Sequence, residues 1–112
     1  MEVEFKTKKL KRQCENPEIA QKDFGSLIGN KLTTRIGEFM AATSLLDIKN
    51  LPATRLHRLK GDRANEFAVV LVHPFRLVFT PSGIEKEDLN KLSKITAVRI
   101  EEVEDYHGKQ RR

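Results

Sequence analysis

The hydrophobic period of this chain shifts near Pro52, from mainly helical spacing before it to mainly strand spacing after it. From Pro17 onward, Ala20, Phe24, Leu27, Ile28, Leu32, Ile36, Phe39 and Met40 recur at steps of three and four. The spacing predicts one long amphipathic helix to about Thr43. Asn16 and Pro17 supply its N-cap and first residue, where proline's missing N–H costs nothing. Ahead of it, the alternation of Val3-Glu4-Phe5-Lys6 predicts a first strand, and Leu10 with Cys14 predicts a two-turn helix over 8–15. Gly25, Gly29 and Gly37 each cost a helix roughly 1 kcal/mol against alanine. With Thr33 they form a row of small residues four apart, read as the close approach of another helix. Ser44 and Asp47 resemble a capping box for a short helix from Leu45 to Leu51, closed by Pro52.

Beyond Pro52 the pattern predicts a strand from Arg55 to Lys60, ended by a turn at Gly61-Asp62. Phe67-Ala68-Val69-Val70-Leu71-Val72 is apolar on both faces, as a strand covered on both sides requires. His73-Pro74 connects it to a hairpin partner, Phe75-Arg76-Leu77-Val78-Phe79. Pro81-Ser82-Gly83 breaks the pattern, and the polar stretch from Glu85 to Lys94, with Leu89 and Leu92, reads as a short helix in an excursion. A last strand runs from Ile95 or Ala97 to about Val103, and its apolar parity shifts between Ile100 and Val103, the signature of a bulge. The order is α+β: an N-terminal strand and helices packed on a mostly antiparallel sheet of four to five strands.

At 112 residues the chain is read as a single domain, 1–112, with 108–112 as a basic tail. The tail, Gly108-Lys109-Gln110-Arg111-Arg112, suits nonspecific RNA contact or a disordered end. No apolar run approaches the ~18–20 residues of a membrane span. The start, Met1-Glu2-Val3-Glu4, lacks the basic and apolar regions of a secretory signal. One cysteine, Cys14, excludes an internal disulfide, and a reducing cytoplasm is the expected compartment. Cys14 itself reads as a small buried hydrophobe. No phosphate-binding glycine loop or zinc signature occurs, so no metal or other cofactor is expected. The net charge of +5 favours an anionic partner, nucleic acid first. Cations crowd Lys6 to Arg12, either a solvated helix face or an RNA footprint, and again Arg55, Arg58, Lys60 and Arg63. Acid gathers at Glu101, Glu102, Glu104 and Asp105. The three glutamates read as a solvated strand edge.

Two blocks carry chemistry: Leu56-His57-Arg58-Leu59-Lys60-Gly61-Asp62-Arg63, and the terminal Val103-Glu104-Asp105-Tyr106-His107. Together they hold two imidazoles, a carboxylate, a phenol and several cations. Metal-free RNA cleavage needs such a set: a base for the ribose 2′-OH, an acid for the leaving 5′-oxygen, and positive charge for the phosphate. An imidazole's ordinary pKa of about 6.5 lets one ring accept a proton and another donate one near neutrality. Arg76 lies on the opposite strand face from Phe75, Leu77 and Phe79, and so can project to solvent while they pack inward. His73, before a proline, reads as a turn residue.

These blocks, in this order and with Arg76-Leu77-Val78-Phe79 between them, resemble the RelE/ParE superfamily of bacterial toxins, and within it the HigB-like plasmid-maintenance killer proteins. The resemblance spans nearly the whole chain. It implies the toxin of a type II toxin-antitoxin system, an mRNA interferase (endoribonuclease) that cuts ribosome-bound message. The implied partners are ribosome-bound mRNA, ribosomal RNA and a HigA-like helix-turn-helix antitoxin, with which the toxin forms a hetero-oligomer; no membrane partner is expected. Carried over, His57, Lys60, Asp105, Tyr106 and His107 are the catalytic candidates. Arg58, Arg63 and Arg76 are the phosphate- and RNA-binding ones. Arg58 stands where the relatives often have proline, and the excursion over 81–94 is longer than their usual connection. The alternatives are a non-catalytic ParE-type toxin that binds DNA gyrase and an inactive RNA-binding relative.

Overall fold

The computed structural model describes residues 1–106. Its elements are β1 (Glu2–Phe5), α1 (Lys8–Glu15), α2 (Pro17–Ala41), α3 (Leu45–Lys49), β2 (His57–Arg58), β3 (Phe67–Val70), β4 (Phe75–Pro81) and β5 (Ala97–Asp105). Single turns of 3₁₀ helix lie at Pro52–Thr54, Gly61–Arg63, Lys86–Asp88 and Leu92–Lys94. The five strands form one sheet in the order β1-β5-β4-β3-β2; β1 runs parallel to β5 and every other pair is antiparallel. The expected architecture is borne out.

Local chemistry sets the helix starts. Thr7 caps α1, its Oγ1 accepting from Leu10 N at 3.0 Å. Asn16 ends α1 and caps α2, its Oδ1 accepting from Glu18 N at 3.0 Å and Ile19 N at 3.3 Å. The single long helix expected from 17 to 43 is corrected: Gly25 breaks it, with φ 83° and ψ 164°. A straight helix separates residues nine apart by about 13 Å along its axis. Here a Cβ placed on Gly29 would meet Gln21 N at 2.7 Å and Ala20 C at 2.8 Å, so the second arm folds back on the first. Gln21 Nε2 bonds Asn30 Oδ1 across that crossing at 2.8 Å. The glycines of the row therefore do not act alike. Gly25 is the hinge, Gly29 is the close approach, and Gly37 meets nothing.

The Ser44–Asp47 capping box is half realised. Ser44 makes no side-chain cap bond, and Asp47 instead accepts from Thr43 N at 2.7 Å. The strand expected over 55–60 shrinks to two residues, because Arg55 adopts a left-handed φ of 48° and Lys60 leads into a 3₁₀ turn. In the excursion the expected helix is replaced by two 3₁₀ turns that bury Leu89. Two leucines three apart suit a 3₁₀ turn and give an α-helix too little apolar face.

One sheet face packs on the helices. Phe67, Val69, Leu77, Phe79, Val98 and Ile100 join Leu32, Ile36 and Phe39 in the core. The Phe39 ring stands edge-on to Phe79 at 5.0 Å, and Phe67 stacks on Phe79 at 5.9 Å. Cys14 lies in this core as expected, and burial, helped by the nearby Glu15, pushes its thiol up to about 12. Arg35, 3% exposed, ties the helices to the sheet: its Nε donates to Val70 O at 2.9 Å and its Nη2 to Ala53 O at 3.0 Å. The opposite face carries a small apolar floor, Leu59, Ala68 and Val78.

A bulge decides which residues overlook that floor. Ile100 pairs with Phe79 and Glu102 with Val78, so Glu101 is the extra residue, where the parity shift predicted one. Without it, Glu102 and Glu104 would share the core-facing parity of Val98 and Ile100. Glu101 is pinned by Thr80 Oγ1 at 2.8 Å and Arg99 Nε at 2.7 Å. Burial alone would raise its carboxyl, but the Arg99 and Thr80 bonds outweigh that and hold it below its ordinary value.

Gly29→Ala should destabilise the chain by roughly 1–3 kcal/mol, since the added methyl meets backbone. Gly37→Ala, in open space, should stabilise it by about 1 kcal/mol. Urea denaturation of both variants checks the pair, and equal effects would contradict the folded-back α2. Because the Glu101 carboxyl is depressed in the folded state, its contribution is present above the unfolded pKa and is lost as pH falls through the folded one. Glu101→Gln should therefore be less stable than the parent at pH 7, with the gap closing as pH drops below the ordinary value of 4.5. Denaturation at neutral and acid pH measures that convergence.

Candidate active-site cleft

The face opposite the helices holds a cleft of about 470 Å³ lined by His57, Arg58, Leu59, Lys60, Arg63, Arg76 and Tyr106. Six of the eight residues singled out from the sequence meet here, drawn from β2, the turn after it, β4 and the end of β5. The register explains the convergence. His57 pairs with Ala68, Ala68 with Val78, and Val78 with Glu102, so His57 overlooks the floor on the same face as Arg76 and Glu104. A second hollow of about 340 Å³ shares His57, Arg76 and Tyr106 with the cleft and adds Arg55, Val70, His73, Pro74 and Phe75. His73 does occupy the turn, ahead of a cis Pro74, and also borders this hollow.

His57 is exposed, and its Nδ1 lies 2.9 Å from Arg55 O. A carbonyl oxygen only accepts, so in the neutral ring Nδ1 carries the proton and Nε2 the lone pair. Arg58 lines the cleft and is held on two sides. Its Nε donates to Ala64 O, and its Nη1 donates to Asn90 Oδ1 at 2.9 Å, fastening the excursion to β2. Lys60 is exposed at the rim. Tyr106, 39% exposed, has its N–H on Pro74 O at 3.2 Å, and the Arg76 guanidinium sits 4.3 Å above its ring. Asp105 pairs with Phe75 and so faces the other side of β5 from Glu104. It is not brought into the cleft. His107 and the basic tail lie outside the described residues.

The glutamates expected at a solvated edge are corrected. β5 is an interior strand, and Glu104 is 2% exposed. Its Oε1 accepts from Arg63 Nη1 at 2.8 Å and its Oε2 from Arg76 Nε. A carboxylate this buried requires such partners, because desolvation alone would penalise its charge by several kcal/mol. Arg63 is further bound at Nε by Glu66, with its Nη2 at 3.6 Å from Glu102. Burial alone would lower the Arg63 guanidinium, but the hydrogen bonds to Glu66 and Glu104 outweigh it and hold it above its ordinary value. Arg76 was expected to reach solvent; its side chain is 15% exposed and ion-paired instead. Glu104 is the cleft residue the sequence reading missed. The available signal was the bulge, which turns Glu104 onto the face of Arg76.

No family model matches the chain, and no curated protein matches it. Among solved structures it is similar to a YoeB/ParE toxin from Agrobacterium tumefaciens, with a TM-score of 0.54 and 14% identity over 95% of this chain and 99% of that one. The match runs almost end to end in both molecules, while identity at this level speaks only to the fold. On that ground the chain shares the fold of a YoeB/ParE toxin.

Proposed function

We propose that this chain is the toxin of a type II toxin-antitoxin system and acts as a ribosome-dependent mRNA endonuclease. The observation that carries the reading is the cleft itself, where His57, Lys60, Arg76 and Tyr106 converge from three remote segments. His57, with Nδ1 committed to Arg55 O, takes the 2′-OH proton at Nε2. The 2′-oxygen then attacks the adjacent phosphorus in line, and the 5′-oxygen leaves with a proton. Products are a 2′,3′-cyclic phosphate and a 5′-hydroxyl. Arg76 and Lys60 neutralise charge building on the phosphate, the largest contribution such a site makes. Tyr106 offers a ring for base stacking. The resemblance makes Asp105 and His107 catalytic partners; in this reading His107 gives the proton to the leaving oxygen, and Asp105 either orients it or acts as a base itself.

The same reading places the protein in the cytoplasm, with ribosome-bound mRNA and ribosomal RNA as its targets. A HigA-like helix-turn-helix antitoxin would hold it inactive in a hetero-oligomer. Among the described residues no helix is long and apolar enough to cross a membrane. Incubating the purified chain with translating ribosomes and mapping message ends tests the proposal. Wild type should cut within the message, and His57→Ala and His107→Ala should cut about 10²–10⁴-fold more slowly. Equal rates in all three would remove the site assignment. Inhibition of gyrase supercoiling with no RNA cleavage would decide for the ParE-type alternative.

A further inference from the structure

The three cleft arginines differ in how their guanidinium groups are engaged. Arg63 faces a carboxylate from each nitrogen: Glu66 at Nε, Glu104 at Nη1 and Glu102 at Nη2. Arg58 is bound to Ala64 O and Asn90. Arg76 meets Glu104 through Nε, and its Cζ lies 4.3 Å from the centroid of the Tyr106 ring. Among the described residues the Nη atoms of Arg76 make no hydrogen bond or ion pair, which leaves a two-pronged edge for a phosphate, a group that guanidinium binds in bidentate fashion.

We infer that Arg63 is not a phosphate ligand but a positioning residue, acting through the buried Glu104 on Arg76, the phosphate-binding arginine of the proposed function. The inference rests on the nuclease reading and divides labour within it. Glu104 uses one oxygen for each arginine, so the orientation of Arg76 depends on where Arg63 holds the carboxylate. Glu66, bound to Arg63 Nε, fixes Arg63 from behind. The order of control is Glu66, Arg63, Glu104, Arg76. Arg63 comes from the turn after β2, so this chain of contacts also locks the segment carrying Lys60 against the strands carrying Arg76 and Tyr106.

Full-length Arg63→Gln, Glu104→Gln, their double variant and Arg76→Gln test this, with thermal melting to verify folding. Two quantities are read: the message-cutting rate on ribosomes, and the salt dependence of binding to a short 2′-O-methyl RNA that cannot be cut. Arg76→Gln should flatten the slope of log K against log salt by about 0.7, one phosphate contact on a single strand. Arg63→Gln and Glu104→Gln should keep the wild-type slope yet cut about 10–100-fold more slowly, because the phosphate ligand is misplaced rather than removed. The double variant should cut no slower than the slower single. A slope loss in Arg63→Gln equal to that of Arg76→Gln would make Arg63 a direct ligand and overturn the inference. Wild-type cutting by Arg63→Gln, or rate losses that multiply in the double variant, would do the same. If the wild-type chain cuts no message, the nuclease reading falls, and the slope comparison still decides which arginine meets phosphate.

Discussion

The carboxylate of Glu104, buried between Arg63 and Arg76, is the interaction on which the cleft depends. It is an ionised group in a position with almost no water, so each of its oxygens requires a cationic donor. Those donors arrive from different parts of the chain, Arg76 from β4 and Arg63 from the turn that follows β2. Satisfying one carboxylate thereby closes the wall of the cleft. Removing one partner from a fully buried pair costs about 3–5 kcal/mol; the cost here is smaller, because the Arg63 side chain keeps 29% exposure. The pair is better understood as a device for geometry than as a source of stability.

That geometry is prepared by features far from the chemistry. The extra residue at Glu101 rotates the end of β5 so that Val103 continues the core side while Glu104 turns to the cleft. Arg35 fastens α2 to both Val70 and Ala53, and so holds β3 and the turn that delivers β2. The left-handed Arg55 then directs the chain into β2 and presents the carbonyl that sets the His57 tautomer. The folded-back α2 covers the other sheet face, which leaves the cleft face open to a ligand.

Features encoded by neighbours in sequence could be read directly. The cap at Asn16, the turn at Gly61 and the parity shift near Glu101 each follow from a few adjacent residues, and the structure has them where the pattern puts them. What escaped depends on distant partners. The break at Gly25 leaves the apolar spacing of α2 intact, so periodicity alone joins two arms into one helix. Glu104 looks like one more acidic residue in an acidic run until the sheet order places β5 beside β4. Arg63 and Arg76 looked equivalent as cations; only their separate partners distinguish them. Composition reported the charge, and pairing decides which charge is available.

In the proposed reaction the cleft breaks an RNA phosphodiester by using the ribose hydroxyl beside it. The most direct measurement places a single 2′-deoxynucleotide at the mapped cut position of a message and repeats the ribosome reaction with the wild-type chain. Cleavage at that bond should vanish, while the all-ribose control should yield a 2′,3′-cyclic phosphate and a 5′-hydroxyl. Undiminished cutting of the 2′-deoxy bond, or ends bearing a 5′-phosphate, would contradict the account.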